Sequence, residues 1–136
     1  MRIKTSFVLF AGLGLMAAVF PALAHHSFTA QYDRSKPANL KGPVTKVEWI
    51  NPHARFFMDV TDANGKTANW EIELSAPAML MRRGWTNRSL KIKDVVTVVG
   101  SLAKDGTNLA NATSVTLADG KKVFAGSSGG DGDTTQ

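Results

Sequence analysis

The pattern of apolar and polar residues changes twice along the chain. An uncharged, largely apolar run extends from Ser6 to Phe20, residues 25–39 are polar without a regular period, and apolar and polar residues alternate from Leu40 onward. Alternation with a period of two is typical of half-buried β-strands. The pattern therefore predicts an N-terminal arm over residues 25–39, followed by an all-β domain of small α content over residues 40–125.

Turn residues divide this domain into strands. The predicted strands run from Leu40 to Trp49, Ala54 to Val60, Thr67 to Leu74, Val95 to Gly100 and Leu109 to Leu117, with a short sixth segment from Lys121 to Phe124. Asn51-Pro52-His53 is a turn between the first two strands, and Asn64-Gly65 closes a hairpin between the next two. Pro43 indicates a bulge or a sheet edge within the first strand.

One helix is predicted between the third and fourth strands. Ser75 suits the N-cap, Pro77 the first turn and Gly84 the C-terminal stop, and the residues between them favour helix. Trp85 then anchors the helix end on the core. Three strands, a short helix and two strands follow the order of an OB-fold, a partly open five-stranded barrel. A β-sandwich is the alternative, but it would need about seven strands.

The first residues have the layout of a secretory signal peptide. Arg2 and Lys4 precede the apolar run, and a small-x-small site at Ala22 and Ala24 follows it. The run is shorter than the roughly 20 residues that a transmembrane helix needs. We therefore expect residues 1–24 to be cleaved, which leaves a periplasmic protein without a transmembrane segment.

The amino-acid composition and charge limit the classes of function that are expected. The chain has 136 residues, of which 43% are hydrophobic and 20% charged, and this fits one folded domain. It has no cysteine, so disulfides and thiolate metal sites are excluded. Two of the positive charges leave with the signal peptide, and the small remaining excess does not favour a nucleic-acid partner. Residues 126–136 are rich in Gly, Ser, Asp and Thr and are expected to be a disordered tail.

The three histidines, His25, His26 and His53, are the candidate metal ligands. Cleavage after Ala24 would give His25 a free α-amine, which can chelate a metal together with the imidazole of the same residue. His26 or His53 would add a further nitrogen. Tetragonal nitrogen ligation suits Cu(II), and the affinity order of divalent metals also favours copper, with zinc as the alternative. The competing interpretation is a solvated histidine pair, a turn histidine bonded to the backbone, and no physiological metal.

A second candidate site is aromatic and basic. Trp49, Arg55, Phe57 and Trp70 surround the second and third strands, whose face binds oligosaccharides or oligonucleotides in OB-folds. The alternative is that most of these aromatic side chains fill the core. Phe56 and Phe57 are adjacent and must point to opposite faces of a regular strand.

Three glutamates are further candidate ligands, and the sequence contains no known catalytic motif. Glu48, Glu71 and Glu73 are either additional metal ligands or members of a solvated strand face. No nucleophile elbow, phosphate-binding loop, HExxH or EF-hand pattern is present, so the sequence does not support an enzymatic activity. The expected function is binding of a small ligand, copper first, with a protein- or polysaccharide-binding module as the alternative.

Short motifs along the chain resemble one family. They are His25-His26-Ser27-Phe28 after the Ala-x-Ala site, the segment Val47-Glu48-Trp49-Ile50-Asn51-Pro52-His53-Ala54, Asn69-Trp70-Glu71-Ile72-Glu73, and Arg82-Arg83-Gly84-Trp85. Together they are similar to a family of small secreted bacterial proteins defined only as a domain of unknown function, family 6152. This resemblance implies a bacterial periplasmic protein and implies no activity, substrate or catalytic residue.

Overall fold

The computed structural model describes residues 28–126. The predicted signal peptide, His25, His26 and the predicted tail beyond Gly126 lie outside this range. Strands account for 52% and helix for 10% of the described residues, which confirms the mostly β class. Between residues 28 and 126, no helix combines the length and apolar character needed to cross a bilayer.

The sheet has six strands, and a helix lies between the third and fourth of them in the chain. The elements are β1 (Tyr32–Glu48), β2 (Arg55–Thr61), β3 (Thr67–Glu73), α1 (Pro77–Arg82), β4 (Val95–Ala103), β5 (Leu109–Thr116) and β6 (Lys122–Phe124). The described sheet therefore contains six strands rather than five, since the short segment before Ala125 pairs with β5.

The first strand is longer than the alternation predicts. β1 begins at Tyr32, not at Leu40, so residues 32–39, which the pattern assigned to the arm, are already part of the sheet. Its first part pairs with β4 and its last part, from Val44, pairs with β2. The pattern did not reveal this because residues 32–39 are largely exposed, and an exposed strand needs no apolar alternation. The register shift after Val44 agrees with the bulge indicated by Pro43.

The pairings of β3 set the topology of the sheet. The strand order is β3-β2-β1-β4-β5-β6, and β3 makes an additional, parallel pairing with β5. Following the pairs from β3 through β2, β1, β4 and β5 therefore leads back to β3. As a consequence, β3 has a hydrogen-bonded neighbour on both sides where Glu71 and Glu73 face Leu109 and Asn111.

The core lies on the face of the sheet that carries the alternating apolar residues. Its largest fully buried members include Trp85, Phe56, Met58, Ile72 and Leu80. α1 contributes Leu80, and the Trp85 indole N–H donates a hydrogen bond to the Phe124 carbonyl at 2.9 Å. The predicted anchoring role of Trp85 is confirmed.

The start of α1 differs from the prediction. The N-cap residue is Ala76 rather than Ser75, and no side chain caps the helix. Ser75 instead belongs to the buried connection, where its backbone N–H donates to the Ala125 carbonyl at 3.0 Å. Gly84 follows the helix with a φ of 88°, as expected of a C-terminal stop.

Gly42 allows a close approach of backbone. An added Cβ atom at this position in β1 would lie 1.8 Å from the Asp59 carbonyl oxygen of β2. Backbone carbonyls cannot move aside as a flexible side chain can, so β1 and β2 would have to separate. Gly42 is therefore required for the point at which β1 passes from its pairing with β4 to its pairing with β2.

We expect Gly42→Ala to lower the free energy of unfolding by more than about 2 kcal/mol, because the new methyl group collides with the backbone of β2. Gly106→Ala is the control, since Gly106 has a φ of +77° but open space around it. The expected loss in free energy of unfolding for Gly106→Ala comes from backbone strain alone and is roughly 1–2 kcal/mol. Urea unfolding monitored by circular dichroism measures both changes, and an equal or smaller loss for Gly42→Ala would contradict the close-approach argument.

Candidate functional site

A polar cluster occupies the outer face of the sheet where β2, β3 and β5 lie side by side. Phe56 and Ile72 pair with each other and are fully buried on the inner face. Successive strand residues alternate between faces, so Arg55, Glu71 and Glu73 project outward. The parallel pairing then places Asn111 of β5 beside Glu73.

Glu73 holds two neighbours in position. One of its carboxylate oxygens, Oε1, lies 3.4 Å from His53 Nδ1 and accepts a hydrogen bond from Asn111 Nδ2 at 3.1 Å. The Glu73 side chain is 15% exposed and that of His53 35%, so the pair stands at the border between protein and solvent. A carboxylate on one ring nitrogen of a histidine fixes the ring and leaves the other nitrogen for a metal.

Arg55 balances the neighbouring carboxylates. Its guanidinium donates to Glu71 Oε1 at 2.6 Å, and its Nε lies 3.9 Å from Glu48 Oε2. Lys46 also pairs with Glu48, at 2.5 Å. The positive charges of Arg55 and Lys46 therefore offset the negative charges of Glu71 and Glu48 on this face of the sheet.

Tyr32, at the start of β1, borders this cluster. Its side chain is 2% exposed and its ring packs on Phe28, with 5.2 Å between ring centroids. Burial, followed by the negative charge of Glu73, a hydrogen bond to its carboxylate and the charge of Glu71, raises the pKa of the phenol well above its usual value. The Tyr32 hydroxyl therefore faces the Glu73 carboxylate.

The segment before β1 is tied to the sheet. It forms a helical turn over residues 28–31, in which Phe28 is 7% exposed. The Lys104 ammonium donates to the Thr29 carbonyl, and the Lys104 backbone N–H donates to the Gln31 carbonyl at 2.9 Å. These contacts hold the start of the described chain next to Tyr32.

The predicted aromatic and basic residues divide between the two faces. Arg55 and Phe57 lie on the outer face of β2, and the Lys46 ammonium sits 5.2 Å from the Phe57 ring centroid. Trp70 pairs with Met58, which is fully buried, so it lies on the inner face. The structure therefore does not bring Arg55, Phe57 and Trp70 onto one face.

The alternative assignment of the tryptophans to the core agrees with their packing. Trp49 and Trp70 both pack, partly buried, against the hydrophobic core. The Trp70 ring is therefore not presented together with Phe57 as a continuous stacking surface.

Within residues 28–126, no group of three or more His, Cys, Asp or Glu side chains could hold a metal ion. His53 and Glu73 come together, while His25 and His26 lie outside the described chain. Tyr32 and Asn111 are also members of this cluster, although no motif or spacing in the sequence marks them. The alternation of Glu71 and Glu73 was visible in the sequence, but the strand that pairs beside them comes from elsewhere in the chain.

The Tyr32 environment predicts a late phenol ionisation in the folded, metal-free protein. The chain has a single tyrosine, so phenolate absorbance reports on Tyr32 alone. An unfolded chain ionises near the ordinary value of 10.0, whereas the folded chain does not. The contribution of the un-ionised phenol to the free energy of unfolding is therefore complete below pH 10 and is lost as the pH rises above it. We expect phenolate absorbance to appear only as the β circular dichroism disappears; ionisation near pH 10 in a folded chain would contradict this.

The chain is similar to two solved structures. One is TiaS in complex with an isoleucine tRNA and ATP, at 22% identity and a TM-score of 0.42, covering 62% of this chain and 18% of that one. The other is the ZRD-deleted mutant of TiaS in complex with agmatine, at 19% identity and a TM-score of 0.43, covering 76% of this chain and 25% of that one. The chain thus spans a quarter or less of the length of these structures.

A search among curated proteins found no match. The family of unknown function DUF6152, in contrast, matches residues 13–112. This stretch covers most of the chain, including every strand from β1 to β4 and all four motifs that carry the resemblance. The protein therefore belongs to the DUF6152 family.

Proposed function

We propose that this protein is a periplasmic copper-binding protein, with a site formed by His25, His26 and His53. One observation carries the proposal. The segment that follows His25 and His26 is anchored beside Tyr32, and Tyr32 neighbours the Glu73 carboxylate that holds His53. Segments that are distant in sequence therefore meet at one polar cluster.

The short stretch of chain between His25 and Phe28 sets how far the N-terminal histidines can reach. His25 precedes Phe28 by three positions, and an extended chain spans about 3.3–3.6 Å per residue, so the segment can reach roughly 10 Å. His53 already has one ring nitrogen beside Glu73. The remaining nitrogen, Nε2, is the one that would bind the metal, as is usual when a carboxylate orients a histidine.

The donor chemistry favours copper. The α-amine and imidazole of His25 form one chelate, and an imidazole of His53 or His26 adds a third nitrogen. Such a nitrogen set suits tetragonal Cu(II), while zinc, the alternative, prefers a tetrahedral set. Because the α-amine exists only after cleavage at Ala24, the proposal includes export through a cleaved signal peptide.

An OB-type barrel is part of the same proposal. The cyclic pairing of β1 to β5, and the position of α1 between β3 and β4 in the chain, support this architecture. In it, the β1–β2 turn that carries His53 is held by the strands on either side. A site built on strand ends is better preorganised than one on a long loop.

Copper titration of two forms of the protein tests this function. The form with a native His25 N-terminus is expected to bind one equivalent of Cu(II). A form with one additional N-terminal residue loses the amine–imidazole chelate, and its affinity should fall at least about tenfold, or ~1.4 kcal/mol. Isothermal titration calorimetry, with the N-terminus verified by mass spectrometry, measures the difference.

His53→Gln in the native-terminus form is the second arm, and it should also weaken Cu(II) binding. Gln keeps a polar side chain of comparable length beside Glu73 but lacks the imidazole nitrogen. The same series with Zn(II) decides between the two metals. Equal, weak binding of copper by all forms would rule out the histidine site.

A second candidate function is binding of a protein or polysaccharide. It is favoured by the outer side of β2, where Arg55, Phe57 and Lys46 lie next to each other. Planar aromatic and guanidinium groups recur at binding hot spots. This function predicts that Phe57→Ser abolishes binding to an oligosaccharide array and leaves copper affinity unchanged. If the array shows no binding by the unmodified protein, the polysaccharide branch of this candidate is wrong.

A further inference from the structure

The outer face of β4 differs from the polar cluster around Glu73 because it is apolar. Val96 and Val98 are buried, so Val95 and Val99 point outward on the pleated strand. Val95 is 50% exposed and Val99 is 43% exposed, and Phe124 of β6 is 44% exposed. Exposed apolar side chains that share one surface are typical of a binding site for a protein or a membrane.

Two rows of paired residues cross this face from β1 to β6. The register places Asn39, Val99, Ser114 and Phe124 side by side in one row. It places Lys41, Thr97, Thr116 and Lys122 side by side in the other row. These two rows, together with Val95 and its partner Pro43, are called the β4 face. Neighbouring strands lie about 4.8 Å apart, so the four strands make the face roughly 14 Å wide.

The β4 face carries positive charge and no carboxylate. Exposed Lys41 and Lys122 lie at the two ends of one row. The Arg83 guanidinium, from the end of α1, lies 4.4 Å from the Phe124 ring centroid at the end of the other row. Within residues 28–126, the ion pairs involve other cations, so these three are not neutralised by a neighbouring carboxylate.

The acidic groups nearest in sequence to the β4 face are used in turns. Asp94, just before β4, accepts a hydrogen bond from the Lys91 backbone N–H at 3.0 Å. Asp119, just before β6, accepts one from the Lys121 backbone N–H at 2.8 Å. The cluster around Glu73 is the reverse case, since its carboxylates pair with its cations. The outer surface of the sheet is therefore divided into one acidic, paired region and one basic, unpaired region.

We propose that the β4 face binds the surface of a bilayer that contains anionic lipids. Its exposed apolar side chains enter the boundary below the headgroups, and its three cations contact the lipid phosphates. Long basic side chains can keep their charge at the headgroups while the apolar part of the surface lies deeper. The charge of the face is complementary to such a bilayer, and the proposal does not depend on the copper site, which is built from other parts of the chain.

The position of the face within the sheet favours a lipid surface over an acidic polypeptide. β4 pairs with β1 on one side and with β5 on the other, so its backbone offers no free edge to which a peptide strand could add. Contact is therefore made by side chains alone. A fluid layer of headgroups needs no fixed hydrogen-bond geometry, and it supplies both the negative charge and the apolar boundary that this face lacks.

Vesicle co-sedimentation tests the proposal. The form that begins at His25 is used, because the apolar run before Ala24 would bind lipid by itself. The protein should sediment with vesicles of phosphatidylglycerol and phosphatidylcholine in equal parts, and should stay in solution with phosphatidylcholine alone. Raising the salt from about 0.1 to 1 M should weaken binding at least about tenfold, since the Debye length falls from about 10 to 3 Å. Equal binding to both vesicles, or binding to neither, would overturn the proposal.

Two matched double variants separate the β4 face from the net charge. Lys41→Gln with Lys122→Gln removes two cations of the face, and vesicle affinity should fall more than about tenfold, since each Lys near an anionic surface contributes about fivefold. Lys46→Gln with Lys66→Gln removes two cations outside the face, and the parental affinity is expected. Circular dichroism verifies that both variants are folded. An equal loss of affinity in the two variants would contradict a role of this face.

A third variant tests the apolar part of the face. Val95→Thr with Val99→Thr keeps β-branched side chains in the strand, so the fold is retained, but it replaces a methyl group by a hydroxyl at each position. Binding to the anionic vesicles should fall several-fold. Parental binding by this variant would show that charge alone attracts the protein and would overturn insertion of the face.

A measurement on the unmodified protein identifies the surface that contacts the lipid. In nuclear magnetic resonance spectra with anionic nanodiscs, the amide signals of Val95, Val99 and Phe124 should broaden before that of Phe57 on the outer side of β2. The reverse order would overturn the assignment of the face. Poly-L-glutamate presents negative charge without a bilayer. Retention of the protein by this polymer, without vesicle binding, would assign the face to an acidic polypeptide and overturn the lipid proposal.

Discussion

The parallel pairing of β3 with β5 is the constraint on which the rest of this structure depends. β3 already pairs with β2 on one side, and the second pairing gives its last residues a neighbour on the other. It places Asn111 beside Glu73, and through β4 it brings the start of β1 to the same region, since Tyr32 pairs with Ala103. Without it, Glu73 would lie on an exposed edge with no second partner.

The outer cluster shows how a small domain without cysteine can hold charged groups near its surface. Glu73 serves two partners, His53 and Asn111, so its direction is restricted, and Arg55 offsets the charge of the neighbouring Glu71. The buried Arg55 Nε lies 3.9 Å from a Glu48 carboxylate oxygen, and the buried Tyr32 hydroxyl lies beside the Glu73 carboxylate.

The strands that form the core could be predicted from the sequence more completely than the polar cluster. Alternation located β2, β3, β4 and β5 within a few residues, because their inner faces are apolar and their outer faces polar. It missed the first part of β1, which is mostly exposed and is held by backbone hydrogen bonds to β4 rather than by burial. A strand held by backbone hydrogen bonds needs no alternation of apolar and polar side chains, so the sequence pattern does not reveal it. In the candidate site, pattern grouped Trp70 with Arg55 and Phe57, but the register between β2 and β3 places Trp70 on the inner face.

Residues close in sequence thus established the β class, the turns, the helix and the histidine candidates, since period, propensity and turn chemistry act over a few positions. The meeting of Tyr32, His53, Glu73 and Asn111 arose only when the sheet formed. These residues come from β1, the β1–β2 turn, β3 and β5, and their contacts span long stretches of chain. Which of them share a surface is decided by strand order and register, which depend on the free energy of the whole folded domain.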